Sequence, residues 1–556
     1  MTSRRSALKK IGLGLGACLT SPLGILVNST FSGFIRQAIA QESGLNPRKF
    51  VFINFRGAPS RWMYDQFLKV NESDPFHYNP LIVSNFSSTS DSFYHESEYK
   101  TFDYKGYEVP YLWSLSVKDS AGANHKVSSI LDNFLSIRGI DTLSVAHPAA
   151  QNSHLRLPGN QRSLSGEVCD HHDHVLPAIS LSGDSALDLG HNSLKGKNLL
   201  TLQTNGVQEN VLMKIFYPFI KGGGFSSLSS INELSSDLDK VLQERVLKIA
   251  PGLRYNKESA KTLFNRSFTN LASQWQTLIF KYSKVISNAL GAEYLGINDK
   301  SVGINYSQRT DGFYSFARNM QNTEIEDVRN LISGNNSVEA TKGRVINSLA
   351  EGFATAEYLL VNNYSSYINI TSGGLVVNNS SGANFSYAND QHFAGPIAFT
   401  LINNLYFLGF SAALIEFRKA LIENNIFNDT VIGFGGEFNR TARNIPTTGG
   451  VWTGHGSTAQ SISLVSGSIK GLNIVGSLTS GKSSEDGGVG TTGIGAKINA
   501  LGGHRATNGH LHSSIAEVLK VNAPSTNNPS LLKHKPDGTI QSLIGTPRIV
   551  EDGEVA

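Results

Sequence analysis

Three polar stretches of this chain contain the residue types and spacings that could do chemistry. In the first, Asp390 and His392 stand two positions apart, after a strand predicted near 367–371. A carboxylate and an imidazole at that spacing can bind the same divalent metal ion, because both are ligands that zinc and similar ions accept. Most such triplets are solvated loop residues, so the spacing predicts a metal site only if further ligands come from elsewhere in the chain.

The second and third stretches lie close together further along the chain. Glu437 and Arg440 follow a short apolar run, 431–434, and two glycines, which leave the carboxylate little covered at the end of a predicted strand. Arg440 is predicted either to pair with Glu437 or to hold an anionic substrate in a two-pronged grip. His455 stands between two glycines, as a metal ligand or as a hydrogen-bonded loop histidine.

The elements that must position these residues follow an alternating pattern. The nearly continuous apolar run 49–55 predicts a buried first strand that ends in Arg56-Gly57-Ala58-Pro59. A second strand is predicted at 134–139, before a loop that holds His147, His154 and Arg156. Further predictions are strands at 366–370 and 431–434, helices at 343–360, 396–424 and 513–519, helical segments from 231 to about 290, and irregular structure over 71–125.

Strands that alternate with helices at this spacing predict an α/β fold, a three-layer sandwich with a mostly parallel central sheet. In such sheets the chemistry gathers where strands reach their carboxyl edge.

The order and spacing of the motifs resembles the domain of unknown function 1501 family. That family is bacterial, commonly exported by the twin-arginine route, and looks related to the alkaline phosphatase and sulfatase superfamily. The most specific match is the stretch 428–471, which contains Glu437-Phe438-Asn439-Arg440-Thr441, Gly449-Gly450, Gly454-His455-Gly456 and Ser468-Ile469-Lys470-Gly471. Similar family pieces are matched by Asp390 and His392, by the first loop Arg56-Gly57-Ala58-Pro59-Ser60, and by His147-Pro148-Ala149.

The resemblance implies an alkaline phosphatase-like fold and metal-dependent hydrolysis of a small anionic ester, a phosphate or a sulfate. A bound divalent ion, zinc, manganese or calcium, would lower the pKa of a water or hydroxyl and neutralise charge on the transferred group. The implied metal ligands are Asp390, His392 and His455; the catalytic residues are Ser60 as nucleophile, Glu437 and Arg440; the substrate-binding residues are Arg56 and His147.

Departures from the family pattern limit this implication to a single metal. Asn439 replaces a glycine, Gly454 replaces an aspartate, and residues 61–63 stand where relatives place a histidine and an aspartate. That missing first-loop acid is a metal ligand in active members of the superfamily, and Asp65 is one or two positions out of register to replace it. The alternative is a non-catalytic binding or structural protein of the periplasm or envelope.

The N-terminal segment predicts export. Arg4-Arg5 precedes an apolar stretch, 11–26, that is broken by glycine and polar residues, and Ala38-Ile39-Ala40 offers a cleavage site before Gln41. The stretch is a poor membrane span, which needs about 20 mostly apolar residues. The predicted partners are therefore the twin-arginine translocase and signal peptidase, and the protein is expected in the periplasm or secreted. The alternative is that the signal peptide is cleaved before Cys18 and that this cysteine carries a lipid.

This leaves residues 1–40 as a signal peptide and 41–556 as a single alkaline phosphatase-like domain with a helical insertion around 225–345. The formal net charge is +4, but the first 40 residues carry five basic and no acidic side chains, so the remainder carries −1. The sequence therefore gives no support for nucleic-acid binding. After cleavage Cys169 is the one remaining cysteine, which excludes an intramolecular disulfide.

Three further motifs are predicted to be unrelated to catalysis. Residues 476–483 fit the phosphate-loop pattern, but no helical period follows, so a flexible flap near the site is predicted instead of nucleotide binding. The run Asp170–His174 is predicted to be a solvated loop. His510 and His512 are predicted to form the entry turn of the helix at 513–519.

Overall fold

The structure is a computed structural model. It describes residues 47–70, 98–181, 190–202, 271–290, 338–372, 396–444, 452–479 and 493–556, with short gaps inside these ranges, and the isolated pairs 304–305, 377–378 and 384–385. The twin-arginine motif, both cleavage sites and residues 231–270 of the predicted helical segments lie outside the described residues.

A nine-stranded sheet forms the centre of the described fold. The strands near the site are β1 (Lys49–Phe55), β2 (Asn133–Asp141), β3 (Ala178–Leu181), β4 (Leu199–Thr201), β5 (Tyr367–Ser372), β6 (Thr430–Gly436), β7 (Asn439–Asn444), β8 (Trp452–Gly456), β9 (Gln460–Val465), β10 (Gly471–Val475) and β11 (Ala506–Thr507). Across the sheet the order is β4-β3-β5-β1-β6-β9-β2-β10, and β11 also pairs with β2, while β7 and β8 form a separate hairpin.

Only β9 runs against its neighbours β6 and β2 in this sheet. All other described pairs of the sheet are parallel. The prediction of a mostly parallel central sheet is therefore confirmed.

Helices cover both faces of the sheet. They are α1 (His147–Ser153), α2 (Leu164–His171), α3 (Leu271–Ala289), α4 (Val338–Val361), α5 (Pro396–Glu423) and α6 (Asn508–Leu519). Side chains of β1 alternate between two cores. Val51, Ile53 and Phe55 belong to the core that includes α3, α4 and α5, and Phe50 and Phe52 belong to the core that includes α2 and α6. A strand buried on both faces explains the continuous apolar run in the sequence.

Smaller elements surround this framework. Short strands are Lys69–Val70, Glu98–Tyr99, Thr101–Tyr104, Tyr107–Pro110, Ser116–Lys118, Asn124–Lys126, Ile304–Asn305, Val377–Asn378, Asn384–Phe385, Leu478–Thr479, Leu532–His534, Ile540–Ser542 and Ile549–Val550. Short stretches of 3₁₀ or π-helix are Trp62–Gln66, Tyr111–Ser114, Val127–Asp132, Ser457–Ala459 and Asn499–Leu501. No helix in the described part of the chain is both long enough and apolar enough to cross a membrane.

Most element predictions for the described residues are confirmed, but not all of them. Of residues 71–125, which were predicted to be irregular, 71–97 lie outside the described residues, while Thr101–Tyr104 and Tyr107–Pro110 form a hairpin about a two-residue turn. His147 does not lie in a loop but begins α1, where the next residue is a proline in the first helical turn. His455 lies in a strand, not a loop, because β8 pairs with β7.

Candidate functional site

The carboxyl edge of the sheet brings together residues that are far apart in the sequence. Arg56 follows β1, and Glu437 follows the adjacent β6, whose last residue pairs with the last residue of β1. His147 begins α1 shortly after β2 ends. The hairpin of β7 and β8 connects β6 to β9 and pairs Arg440 with His455. The edge therefore holds a carboxylate, two imidazoles and two guanidinium groups.

A contact between Glu437 and His147 is the centre of this cluster. One carboxylate oxygen of Glu437, Oε1, lies 2.5 Å from Nδ1 of His147 and accepts a hydrogen bond of 2.9 Å from the Gly57 N–H. The Glu437 side chain is fully buried, and the His147 side chain is 29% exposed. The other oxygen, Oε2, is buried without a hydrogen-bond partner among the described residues. Glu437 is thus held from one side and kept out of water, so the prediction that the preceding glycines leave its carboxylate little covered is wrong.

This contact favours one position for the His147 proton. An ionised carboxylate can only accept, so if Glu437 is ionised and the ring is neutral, Nδ1 of His147 donates to Glu437 and Nε2 holds the lone pair. The same arrangement is found in histidines that act as general bases and in histidines that bind metals through Nε2. Both kinds of chemistry are therefore open to His147.

Phe438 fixes the two imidazoles relative to each other. Its ring centroid lies 4.2 Å from that of His455 and 4.8 Å from that of His147. The two imidazole centroids are 4.7 Å apart, with the rings close to perpendicular at 82°. Phe438 is fully buried against Ala58 and Ala150. Its side chain therefore supports the site from below.

The loop after β1 is pressed against the end of β6. Gly57 and Ala58 both have positive φ, 89° and 51°. A side chain on Gly436 would place its Cβ 2.9 Å from the Ala58 Cα, so the close approach requires glycine there. Arg440 donates from Nε to the Ala58 carbonyl at 2.9 Å and from Nη2 to the Gly57 carbonyl at 2.5 Å. The guanidinium is fully buried in these contacts.

The backbone N–H groups of residues 56–58 are all used inside the protein. Two donate to carbonyls at the end of β1, and that of Gly57 donates to Glu437. These three groups therefore do not form a backbone cradle for an anion, which needs N–H groups directed at the ligand.

Asp65 does not replace the missing first-loop ligand. Its Oδ1 accepts from Nε of Arg61 at 2.8 Å, and its Oδ2 contacts Nη2 of Arg61 and accepts from the Ser463 hydroxyl at 2.6 Å. Arg61 and Asp65 are both fully buried, at 1% and 0% exposure. A buried pair of this kind holds its charges inside the protein, so the Asp65 carboxylate is not available to a metal at the edge.

Two buried histidines lie beneath the site. Nε2 of His154 lies 3.3 Å from the Gln460 side-chain nitrogen, which also donates to the Gly436 carbonyl. Burial lowers the pKa of His154 to about 4 and that of His512, its neighbour, to about 4. Both rings are therefore neutral at pH 7, and they pack as uncharged side chains beneath the carboxyl edge of the sheet.

The structure describes only part of the predicted metal site. His455 lies at the edge, but Asp390 and His392, and the nucleophile Ser60, lie outside the described residues. Within the described part of the chain no three histidine, cysteine, aspartate or glutamate side chains are arranged to hold a metal ion. A metal at this edge would therefore need Asp390 and His392 in addition to the described imidazoles, and the single-metal site stays a prediction.

Asp173 lies outside the described residues, and the rest of the motif at 170–174 is not a solvated loop. Asp170 lies in the last turn of α2, is buried, and accepts from the backbone N–H groups of Leu194 at 2.9 Å and Lys195 at 3.3 Å. The rings of His172 and His174 stack at 5.2 Å. The motif therefore closes the end of a helix.

The predictions for His510 and His512 and for the phosphate-loop pattern at 476–483 can be compared with the structure only in part. His510 lies in the entry turn of α6 as predicted, where its Nδ1 accepts from the Thr507 N–H at 3.2 Å. His512 was also predicted to lie in the entry turn, but the helix begins at Asn508, so His512 is fully buried inside it. Of the phosphate-loop pattern, residues 480–483 lie outside the described residues.

The sequence is matched by no known family of proteins, and it is not similar to any curated protein. The resemblance to the domain of unknown function 1501 family therefore rests on the motif residues alone.

Proposed function

We propose that this chain is an exported hydrolase of a phosphate or sulfate ester, with an alkaline phosphatase-like fold, in which His147 transfers the proton. The observation that supports this most is the 2.5 Å contact between the buried Glu437 carboxylate and Nδ1 of His147. It lies at the carboxyl edge of a mostly parallel sheet, where α/β enzymes carry their chemistry.

In the proposed reaction, Nε2 of His147 accepts the proton of the attacking hydroxyl, that of Ser60 or of a water molecule. The hydroxyl oxygen forms a bond to phosphorus or sulfur, the bond from that atom to the ester oxygen breaks, and the alcohol leaves with the proton from His147. If Ser60 attacks, a water molecule then displaces the Ser60 oxygen in the same way: His147 takes the proton of the water and gives it to Ser60, and free phosphate or sulfate is released. Glu437 stabilises the imidazolium that exists between these two transfers, and general acid–base catalysis of this kind contributes about 10²–10⁴-fold.

The remaining roles in the proposal follow from position. Arg56 stands at the end of β1 and is partly exposed, so it is assigned to the negative charge of the ester. A divalent metal bound by Asp390, His392 and His455 would neutralise charge on the transferred group.

Turnover by the exported, purified protein tests the proposal. The substrates are para-nitrophenyl phosphate and para-nitrophenyl sulfate, each without metal and with zinc, manganese or calcium. The variant His147→Gln is expected to lower kcat by at least about 10²-fold. The matched control His171→Gln changes an exposed histidine at the end of α2 and is expected to keep the wild-type rate.

Failure of the wild-type protein to turn over either ester under any of these conditions would reject the hydrolase. The non-catalytic binding or structural protein would then be the better description. Equal rates for His147→Gln and wild type would reject His147 as the proton-transfer group even if the esters were hydrolysed.

A further inference from the structure

The loop after β1 has a conformation that its sequence does not favour. Gly57 has φ 89° and the next residue, Ala58, has φ 51°. Glycine adopts positive φ freely, but an alanine there is strained and persists only where its surroundings hold it. Ala58 is also fully buried against Phe438 and Ala150, so the strain lies inside the site.

Arg440 is the group that holds this conformation. Its guanidinium binds both carbonyls of the strained pair, Ala58 O at 2.9 Å and Gly57 O at 2.5 Å. The planar guanidinium can bind two carbonyls in a fixed relation, which a lysine ammonium cannot reproduce. The guanidinium carbon also lies 5.6 Å from the centroid of the Phe438 ring. All three of these contacts lie inside the protein.

The loop that Arg440 holds continues directly to the proposed catalytic histidine. The Gly57 N–H donates to Oε1 of Glu437, and the same oxygen accepts from Nδ1 of His147. We propose that Arg440 is a positioning residue, which fixes the loop so that Gly57 and Glu437 aim His147, and that it does not bind the substrate. The effect of Arg440 on turnover can be expected only if the protein is the proposed hydrolase. Its effect on the geometry of His147 does not depend on that function.

The two roles considered for Arg440 predict different kinetics. If Arg440 held the anionic ester, the variant Arg440→Lys would raise KM and leave kcat nearly unchanged. If Arg440 is a positioning residue, Arg440→Lys is expected to lower kcat by about 10²-fold with KM unchanged, since a displacement of about 1 Å at a reacting group has that effect.

A second substitution tests whether the fall in kcat of Arg440→Lys comes from movement of the loop or from another cause. Ala58→Gly removes the strain of the left-handed residue, so the loop should need Arg440 less. The double variant R440K/A58G is expected to recover kcat several-fold over R440K and to have a higher Tm. The matched control is R440K/N425G, because Asn425 also has positive φ, 57°, but lies in the turn after α5. It is expected to recover no kcat.

Nuclear magnetic resonance of the His147 ring gives a readout that does not need turnover. The Nδ1–H proton, assigned by its loss in His147→Gln, is expected to be protected in wild type, exchanged in R440K, and protected again in R440K/A58G. This pattern in a protein without ester turnover would reject the proposed function and retain the role of Arg440.

The positioning role would be overturned by an increase in KM without loss of kcat in R440K, or by an Nδ1–H proton that R440K leaves unchanged. If R440K does not fold, the double variants decide the matter. Recovery of folded protein by A58G and not by N425G supports the role, and equal recovery or none by both contradicts it.

Discussion

Acid is expected to destabilise this protein through histidines that are buried without charge beneath the site. His512 is fully buried in α6, and neither of its ring nitrogens makes a hydrogen bond of normal geometry within the described structure. Burial lowers its pKa from 6.5 to about 4, and the nearby ring of His154 lowers it further, although the backbone of residues 153 and 154 opposes the shift weakly. Between pH 6.5 and about 4, His512 is therefore protonated in the unfolded chain but neutral in the folded protein.

The sign and size of the effect follow from proton linkage. The folded-state pKa is depressed, so no stability is lost above pH 6.5, and stability falls as the pH decreases from 6.5 towards 4. One pKa unit corresponds to about 1.36 kcal/mol, and pH 5 lies about 1.5 units below the ordinary pKa, so His512 alone costs about 2 kcal/mol at pH 5. His154, whose pKa is also lowered to about 4, adds a loss of the same sign.

The variant His512→Leu isolates this contribution. Leucine fills much of the same space and removes no described hydrogen bond of the ring. Urea unfolding at pH 7 and at pH 5 gives the loss in the free energy of unfolding for each protein. The loss in His512→Leu is expected to be smaller than in wild type by about 2 kcal/mol. His504→Gln, a change at an exposed histidine, is the control and should lose as much as wild type. An equal loss in His512→Leu and wild type would refute the reasoning.

Two other buried groups give sharp expectations. Asp65→Asn leaves the buried Arg61 guanidinium without its counter-charge, so the free energy of unfolding in urea is expected to fall by about 3–5 kcal/mol. The double variant Arg61→Met with Asp65→Leu should lose less than Asp65→Asn alone, and a larger loss would contradict the view that the unpaired charge is the cause. Burial raises the pKa of the Cys169 thiol to about 12, so a thiol reagent is expected to label it only after unfolding in urea, and fast labelling at pH 7 without urea would show that it is accessible.

The strands and helices could be predicted because their signals are local. The apolar run 49–55 forms the buried β1, and Pro396 begins α5 as expected. The hairpin of β7 and β8 was not predicted, because its residues are polar and glycine-rich and its pairing depends on the edge of the sheet that supports it.

The site could be predicted residue by residue but not contact by contact. Glu437 and His147 were both candidates, yet 290 positions separate them, and only the sheet order brings them together. The sequence left open whether Arg440 pairs with Glu437 or holds a substrate. The structure instead directs it to the carbonyls of Gly57 and Ala58, a contact that depends on an unfavourable backbone angle at an alanine.

The central claim is that the buried carboxylate of Glu437 makes His147 a working acid–base group. The ratio of kcat/KM for para-nitrophenyl phosphate in wild type and in Glu437→Gln tests it most directly, because the amide preserves the shape of the side chain but cannot stabilise an imidazolium. A decrease of at least about 10²-fold in the variant is the predicted result. The same kcat/KM in both proteins would contradict the claim.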